Sequence, residues 1–290
     1  MQLGIFAKTF VRSRFEETFD AVKSYGLDCL QFNFSCAGLP TLPESIDPSL
    51  ALRIRTELED RSLFMAAISG TCNLIHPDLA QRAQCVGRLQ AMIAACRELG
   101  TPIVTLCTGT RYPADMWRPH RDNSSPEAWH DLVMSLETLL PTAESQAITL
   151  GVEPEPANVI DSAQRARRLL QEMKSPSLKI VFDAANLLAP HDLARQHQIL
   201  SEAFDLLGPD TVLAHAKDLK SQGQTESEHR STTVAVGQGK LDYLYFLSLL
   251  EKADFTGPLI LHSLAEHEVS SSVAFLRDKL ATTPSLPSDG

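Results

Sequence analysis

Hydrophobic residues along the chain form eight short apolar runs, and longer stretches with helical periodicity separate them. The runs are LGIFA (3–7), CLQFNF (29–34), FMAAIS (64–69), PIVTLC (102–107), ITLGVE (148–153), LKIVFD (178–183), TVLAHAK (211–217) and PLILH (258–262). Most of them are continuously apolar, which is typical of parallel strands that are covered on both faces. Strands of this kind alternating with helices predict an α/β fold, a (β/α)8 TIM barrel.

Apolar residues recur at three- and four-residue spacing between these runs, which predicts a helix in each gap and one at the end. The helices are expected near 14–25, 48–61, 77–99, 126–146, 162–173, 192–207, 241–253 and 270–280. The competing fold, an open doubly wound sheet, would need a glycine-rich turn after the first strand, and AKTFVRSRF contains no glycine. The prediction is one barrel domain over residues 1–281 and a flexible tail at 282–290.

Four side chains that can bind a metal directly follow apolar stretches of these runs: Glu153 after ITLGV, Asp183 after LKIVF, His215 after TVLA and His262 after PLIL. Their spacings of 30, 32 and 47 residues fit one ligand in each βα unit. The carboxyl ends of barrel strands meet at one face, so these side chains are expected to converge there. Carboxylates with imidazoles suit a hard or borderline divalent cation.

Five segments lie in or after the predicted strands: GTCNLIHPD (70–78), LGTPIVTLCTGTR (99–111), VEPEPANV (152–159), VFDAANLL (181–188) and HAKD (215–218). In this order they resemble the xylose-isomerase-like TIM-barrel superfamily, which holds sugar phosphate isomerases and epimerases and the endonuclease IV-like proteins. The resemblance implies that Glu153, Asp183 and His215 hold one divalent metal ion. The family's fourth ligand is a glutamate on the eighth strand, where this chain has His262.

The activity that the resemblance implies is a metal-dependent isomerase or epimerase. It would act on a sugar, keto-sugar or polyol through a metal-stabilised enediolate. Glu153 and His262 are the candidate catalytic residues, because two-base epimerases of the family exchange the proton between the glutamates of strands five and eight. Manganese is the expected ion, since imidazole is a poor ligand for magnesium. Cobalt, iron, nickel, zinc and magnesium are the alternatives.

Five further polar residues follow the predicted strands and are candidates for binding the substrate: His76, Arg111, Glu155, Asn186 and Lys217. Glu155 lies two positions after Glu153, so both side chains share one face of an extended segment. Lys217 could orient a substrate oxygen or pair with Asp218. Structural interpretations compete with each of these roles. Asp183, for example, could cap the next helix, and His215 could be a core histidine.

The sequence leaves three other functions open. A lyase or dehydratase acting on a related keto-polyol would begin with the same proton abstraction. A phosphodiesterase like endonuclease IV would need several metal ions and more ligands on strands two and three, where this chain offers Asn33, Phe34 and His76. A barrel that has lost its chemistry and binds a sugar or a protein is the non-enzymatic alternative, because His262 departs from the family pattern.

The resemblance implies a small-molecule sugar or polyol as the partner, and a homo-oligomer is possible. A formal net charge of −10 disfavours nucleic acid as a partner. No apolar stretch approaches the roughly 20 residues of a membrane span. The six cysteines are scattered over the first 107 residues without a CxxC pair, which predicts reduced thiols and a cytoplasmic protein.

Overall fold

The computed structural model describes residues 1–221 and 231–282, and its eight parallel strands close into a barrel. The barrel strands are β1 (Leu3–Phe6), β2 (Cys29–Phe32), β3 (Phe64–Ser69), β4 (Ile103–Leu106), β5 (Thr149–Val152), β6 (Leu178–Asp183), β7 (Thr211–Ala216) and β10 (Leu259–Leu261). They pair in the closed order β1-β10-β7-β6-β5-β4-β3-β2. Each of the eight apolar runs therefore forms a barrel strand, which confirms the predicted (β/α)8 fold.

The predicted helices are also present. They are α1 (Phe15–Ser24), α2 (Pro48–Asp60), α3 (Leu79–Leu99), α4 (Pro126–Gln146), α5 (Ala163–Met173), α6 (Gln196–Leu207), α7 (Tyr243–Lys252) and α8 (Val269–Thr282). Local chemistry sets their ends. Before α3, for example, the Asp78 carboxylate accepts hydrogen bonds from the backbone amides of Ala80 and Gln81. The same helix ends at Gly100, which has a φ of 72°.

The interior of the barrel has an apolar layer below a polar one. The apolar layer consists of Cys29, Ala66, Ala67, Ile103, Val181, Leu213 and Ile260. Alternate strand residues point to the same face, so the residues two positions later also point inward. On six strands those residues include a polar one, namely Gln31, Ser69, Thr105, Asp183, His215 and His262. Hydrophobic side chains thus fill the middle of the barrel. The polar groups of its interior lie at the carboxyl end of the strands.

An antiparallel hairpin after β7 was not predicted. It consists of β8 (Asp218–Ser221) and β9 (Ser231–Val234), and the intervening residues 222–230 lie outside the described part of the chain. The buried Asp218 carboxylate anchors it by accepting hydrogen bonds from the backbone amides of Gly237, Gly239 and Leu241, each at 3.0 Å. The Asp218 carboxylate thus anchors the hairpin. Lys217, for which pairing with Asp218 was one prediction, has its ammonium beside the Asp183 carboxylate.

The prediction of six reduced cysteines is wrong for one pair. Cys72, in the loop after β3, forms a disulfide with Cys85 in α3, while Cys29, Cys36, Cys96 and Cys107 are free. The loop folds back onto the helix and brings two Cα atoms that are 13 residues apart in sequence to within 6.3 Å. That approach depends on tertiary structure, so the spacing of the cysteines did not reveal it.

Three other predictions concern the C-terminal tail, the domain boundaries and membrane-spanning segments. α8 ends at Thr282, and the rest of the predicted tail at 282–290 lies outside the described residues. The single domain at 1–281 stays a prediction. Within residues 1–221 and 231–282, no helix is long and apolar enough to cross a membrane.

Candidate metal centre

Three of the four predicted metal ligands come together at the carboxyl end of the barrel. Asp183 ends β6, His215 lies in β7, and Glu153 directly follows β5, so the three side chains come from neighbouring strands. One ligand atom from each lies within 4.8 Å of the others. His215 Nδ1 is 3.2 Å from Glu153 Oε1 and 3.9 Å from Asp183 Oδ2. Two carboxylates and one imidazole nitrogen therefore face a common point.

The Asp183 carboxylate has one oxygen that no hydrogen bond satisfies. Its Oδ1 accepts the backbone amide of Ala185 at 2.9 Å. Its Oδ2 is buried and has no hydrogen-bond partner in the described part of the chain, although Lys217 Nζ lies 3.4 Å away. A buried polar atom without a partner is unfavourable, and a cation beside it would remove that penalty. The donor set and the unsatisfied oxygen together fit a divalent metal ion.

The surroundings of the three carboxylates shift their pKa values in different directions. Burial would raise the pKa of Glu153, but the positive charge and hydrogen bond of His215 outweigh it and lower that pKa to about 2. Burial and the neighbouring Glu153 charge raise the pKa of Glu155 to about 7. Burial also raises the pKa of Asp183, against the opposing effect of Lys217. The ionised forms of these carboxylates thus depend on nearby positive charge, and a bound divalent cation would supply more of it.

Asn186 and Lys217 connect these carboxylates. Asn186 Nδ2 donates to Glu153 Oε1 at 2.9 Å and to Glu155 Oε2 at 2.7 Å. Its Oδ1 accepts a hydrogen bond from Lys217 Nζ, the same ammonium that lies beside Asp183. Both residues were predicted to bind substrate. Lys217 and Glu155 line the cavity described below, whereas Asn186 holds the two glutamates from the side and is not among the residues that line it.

His262 lies next to the centre without joining its cluster of ligand atoms. Its ring stacks on the ring of His215, with 4.7 Å between centroids, and on that of Phe6, with 4.9 Å. Its Nδ1 is 2.7 Å from Ser263 Oγ. Burial and the adjacent charge of His215 lower the pKa of His262 to about 3, so the ring is neutral near neutral pH. The geometry therefore places His262 on the cavity wall, and its role as a metal ligand stays a prediction.

His76 and Arg111 lie away from the centre. His76 Nε2 is 3.1 Å from the carbonyl oxygen of Pro113. Arg111 donates to the carbonyl oxygen of Ile75 at 3.1 Å and forms an ion pair with Asp131 at 2.6 Å. The two hydrogen bonds tie the loop after β3 to the loop after β4, and the ion pair ties the latter loop to α4. Neither residue lines the central cavity. Their predicted contact with substrate therefore has no support from this arrangement.

A cavity of about 520 Å³ opens beside the cluster of Glu153, Asp183 and His215. It is lined by Phe6, Lys8, Gln31, Asn33, Thr41, Ser69, Thr71, Thr105, Cys107, Met116, Trp117, Glu153, Glu155, Lys217, His262 and Ser263. Most of the neutral polar residues among them were not predicted from the sequence as part of the site. A signal existed for three of them: Gln31, Ser69 and Thr105 occupy the inward position two residues after an apolar inward residue, as Asp183 and His215 do.

Comparison with known proteins agrees with this architecture. The sequence pattern of the family described as "Xylose isomerase-like TIM barrel" matches residues 19–279, which is most of the chain. The chain belongs to the xylose isomerase-like TIM-barrel family. The predicted resemblance is thereby confirmed. A sequence search of curated proteins finds no significant match.

Several solved structures resemble the chain over nearly its whole length. A xylose isomerase domain protein from Planctomyces limnophilus has 18% identity and a TM-score of 0.74, over 96% of both chains. The 3-keto-D-glucoside 4-epimerase YcjR from E. coli has 18% identity and a TM-score of 0.71, over 96% of this chain and 99% of its own. The IOLI protein with a bound zinc atom has 16% identity and a TM-score of 0.71, over 98% of both chains. At such identities the likeness establishes the fold.

Proposed function

We propose that this chain is a divalent-metal-dependent isomerase or epimerase that acts on a sugar, keto-sugar or polyol. The observation that carries the proposal is the convergence of Glu153, Asp183 and His215 at the open end of the barrel, together with the unsatisfied Asp183 Oδ2. Membership of the xylose isomerase-like family and a structural neighbour named as a sugar epimerase support the same reaction class.

The proposed cation would be held by Glu153, Asp183 and His215 Nδ1. When bound, it would supply Lewis-acid stabilisation of the negative charge that develops on substrate oxygens as a proton is removed. Manganese is the proposed ion, with cobalt, iron, nickel, zinc and magnesium as alternatives. A structural neighbour that contains zinc supports a site of this kind.

The lining of the cavity supports a substrate with many hydroxyl groups. Its amides and hydroxyls, which can pair with sugar hydroxyls, come from Gln31, Asn33, Ser69, Thr71 and Thr105. Phe6 and Trp117 add aromatic rings, against which the apolar C–H groups of a sugar can pack. Lys217 and Glu155 would bind substrate hydroxyls beside the cation.

Proton transfer is proposed to use groups on two sides of the cavity. Glu153 follows β5 and His262 follows β10, and in the closed barrel β6 and β7 separate these strands. A substrate carbon held between the two side chains presents one face to each of them. Epimerisation needs such access, because the proton leaves from one face and returns to the other.

Deuterium exchange tests the proposed reaction. Protein saturated with Mn²⁺ would be incubated in D2O with ketopentoses, ketohexoses and 3-keto-glycosides, and the products would be followed by NMR. We expect deuterium at the carbon beside the carbonyl together with an isomerised or epimerised product. Both should vanish in Asp183→Asn and persist in the control Asp205→Asn, which changes an exposed carboxylate on α6.

Two other outcomes of this experiment have definite meanings. Release of water with formation of an unsaturated product would assign the lyase activity instead. A metal-saturated protein that exchanges no proton in any member of the panel would contradict the proposed isomerase or epimerase.

A further inference from the structure

Gln31 contacts the proposed metal ligand His215 from the opposite side of the barrel. Its side chain lies in the barrel interior on β2 and is 3% exposed. Its Oε1 is 2.9 Å from His215 Nε2, and its Nε2 donates to Thr105 Oγ1 on β4 at 3.2 Å. β2 and β7 are separated by β1 and β10 in the closed order, so this hydrogen bond crosses the interior. These two hydrogen bonds therefore link Thr105, Gln31 and His215.

The two ring nitrogens of His215 have different surroundings. Nδ1 faces the carboxylates of Glu153 and Asp183, while Nε2 faces only the Gln31 amide among the contacts in the described residues. Because the NH2 group of Gln31 is directed at Thr105, its carbonyl oxygen is the atom that meets His215 Nε2. A carbonyl oxygen accepts only, so Nε2 carries the proton. A neutral imidazole with its proton on Nε2 presents a lone pair at Nδ1, where the cation would lie.

We propose that Gln31 is a positioning residue that fixes the ring orientation and tautomer of His215, and that Thr105 in turn orients Gln31. The inference rests on the proposed function, because it assigns His215 Nδ1 to the metal ion. An amide also suits this place for electrostatic reasons. The centre already contains three carboxylates, from Glu153, Glu155 and Asp183, and a neutral acceptor orients the histidine without adding a fourth.

Metal affinity of variants tests this role. In the full-length protein, Gln31→Met keeps the length of the side chain and removes the acceptor, so we expect the Kd for Co²⁺ to rise by about 10- to 100-fold. Gln31→Glu restores an acceptor and should bind Co²⁺ at least ten times more tightly than Gln31→Met. Gln198→Met, which removes an exposed glutamine that donates to Glu202, is the matched control and should bind as the wild type does.

The same titrations separate two kinds of failure. A wild-type chain that binds no Co²⁺ would overturn the proposed function itself. A wild-type chain that binds Co²⁺, together with a folded Gln31→Met that binds it equally well, would overturn only the role of Gln31. The Co²⁺ absorption bands give a second readout, because a reoriented histidine ligand shifts them whereas a purely structural role of Gln31 leaves them unchanged.

NMR of the wild-type chain avoids the risk that a Gln31 variant does not fold. With ¹⁵N-labelled histidine and bound Zn²⁺, long-range N–H correlations identify which nitrogen of His215 carries the proton. We expect a proton on Nε2 and metal coordination at Nδ1. A proton on Nδ1, with Nε2 bound to the metal, would overturn the inference.

Discussion

The imidazole rings of His262 and His215 stack, with 4.7 Å between their centroids and 23° between their planes. This contact places a neutral ring against a predicted metal ligand. His262 therefore lines the cavity and supports His215, while the cluster of potential ligand atoms consists of Glu153, Asp183 and His215.

Replacement of His262 should affect turnover more than metal binding. In His262→Gln we expect the Kd for Mn²⁺ to stay within about 3-fold of the wild-type value, because the three clustered ligands remain. The turnover number for the substrate found by deuterium exchange should fall by about 10²- to 10⁴-fold, the usual contribution of a proton-transfer group. Titration calorimetry and steady-state kinetics measure the two effects. A large loss of Mn²⁺ affinity in this variant would instead identify His262 as a fourth ligand.

Metal binding should stabilise the fold. A cation present at 100 times its Kd adds about 2.7 kcal/mol to the free energy of unfolding, which for a chain of this size raises the Tm by roughly 5 °C. Thermal unfolding with and without Mn²⁺ measures this shift, and EDTA should reverse it. Asp183→Asn should lose the shift, while Asp205→Asn should keep it. An equal shift in Asp183→Asn would mean that the ion binds elsewhere.

Asp210 should make an acid-sensitive contribution to stability. Its carboxylate contacts Lys179 Nζ at 2.6 Å and an Arg167 guanidinium nitrogen at 2.7 Å. Burial opposes ionisation, but these two hydrogen bonds outweigh it and lower the pKa of Asp210. Because the folded-state pKa is lowered, the stabilisation is present above the ordinary aspartate pKa of about 4 and is lost as the pH falls through the lowered value.

Asp210→Asn is therefore expected to lower the free energy of unfolding by on the order of 1 kcal/mol at neutral pH. The difference from the wild type should shrink as the solution is acidified below about pH 4. Urea unfolding across this pH range measures it, with Asp205→Asn as the exposed control. A loss of stability that is the same at neutral and acidic pH would rule out the ionised contacts as its cause.

The disulfide between Cys72 and Cys85 should stabilise the loop after β3. Cross-linking residues 13 positions apart restricts the unfolded chain, and a loop of this length contributes about 3 kcal/mol in the chain-entropy model. Cys85→Ser should lower the free energy of unfolding by a comparable amount, and a reductant should destabilise the wild type without affecting this variant. Cys36→Ser, which changes a free cysteine, is the control.

Counting thiols checks the disulfide directly. Alkylation of the unreduced, denatured wild type should modify four cysteines, and prior reduction should raise the number to six. Six modified cysteines without reduction would show that the pair is not oxidised in the purified protein.

The fold and the convergence of Glu153, Asp183 and His215 could be predicted because strong local signals mark them. Continuous apolar runs identify buried parallel strands, and Glu153, Asp183 and His215 each stand at the end of such a run. The position of His262 was predicted in the same way, but only the structure shows that its ring stacks on His215 instead of joining the ligand cluster.

Residues in long loops could not be placed in this way. His76 and Arg111 follow strands, as the ligands do, yet His76 contacts the loop after β4, Arg111 pairs with Asp131 on α4, and neither residue lines the cavity. The Cys72–Cys85 disulfide likewise depends on how a loop returns to a helix. Gln31 is a different case, because its inward position follows from strand alternation, although the hydrogen bond to His215 depends on closure of the barrel.

Anomalous diffraction from a crystal of the Mn²⁺-loaded protein tests the metal centre most directly. We expect one strong peak between Glu153, Asp183 and His215, within coordination distance of a carboxylate oxygen of each acid and of His215 Nδ1. A crystal grown with saturating Mn²⁺ that shows no peak at these three residues, or that shows the ion bound elsewhere in the cavity, would contradict the proposed centre.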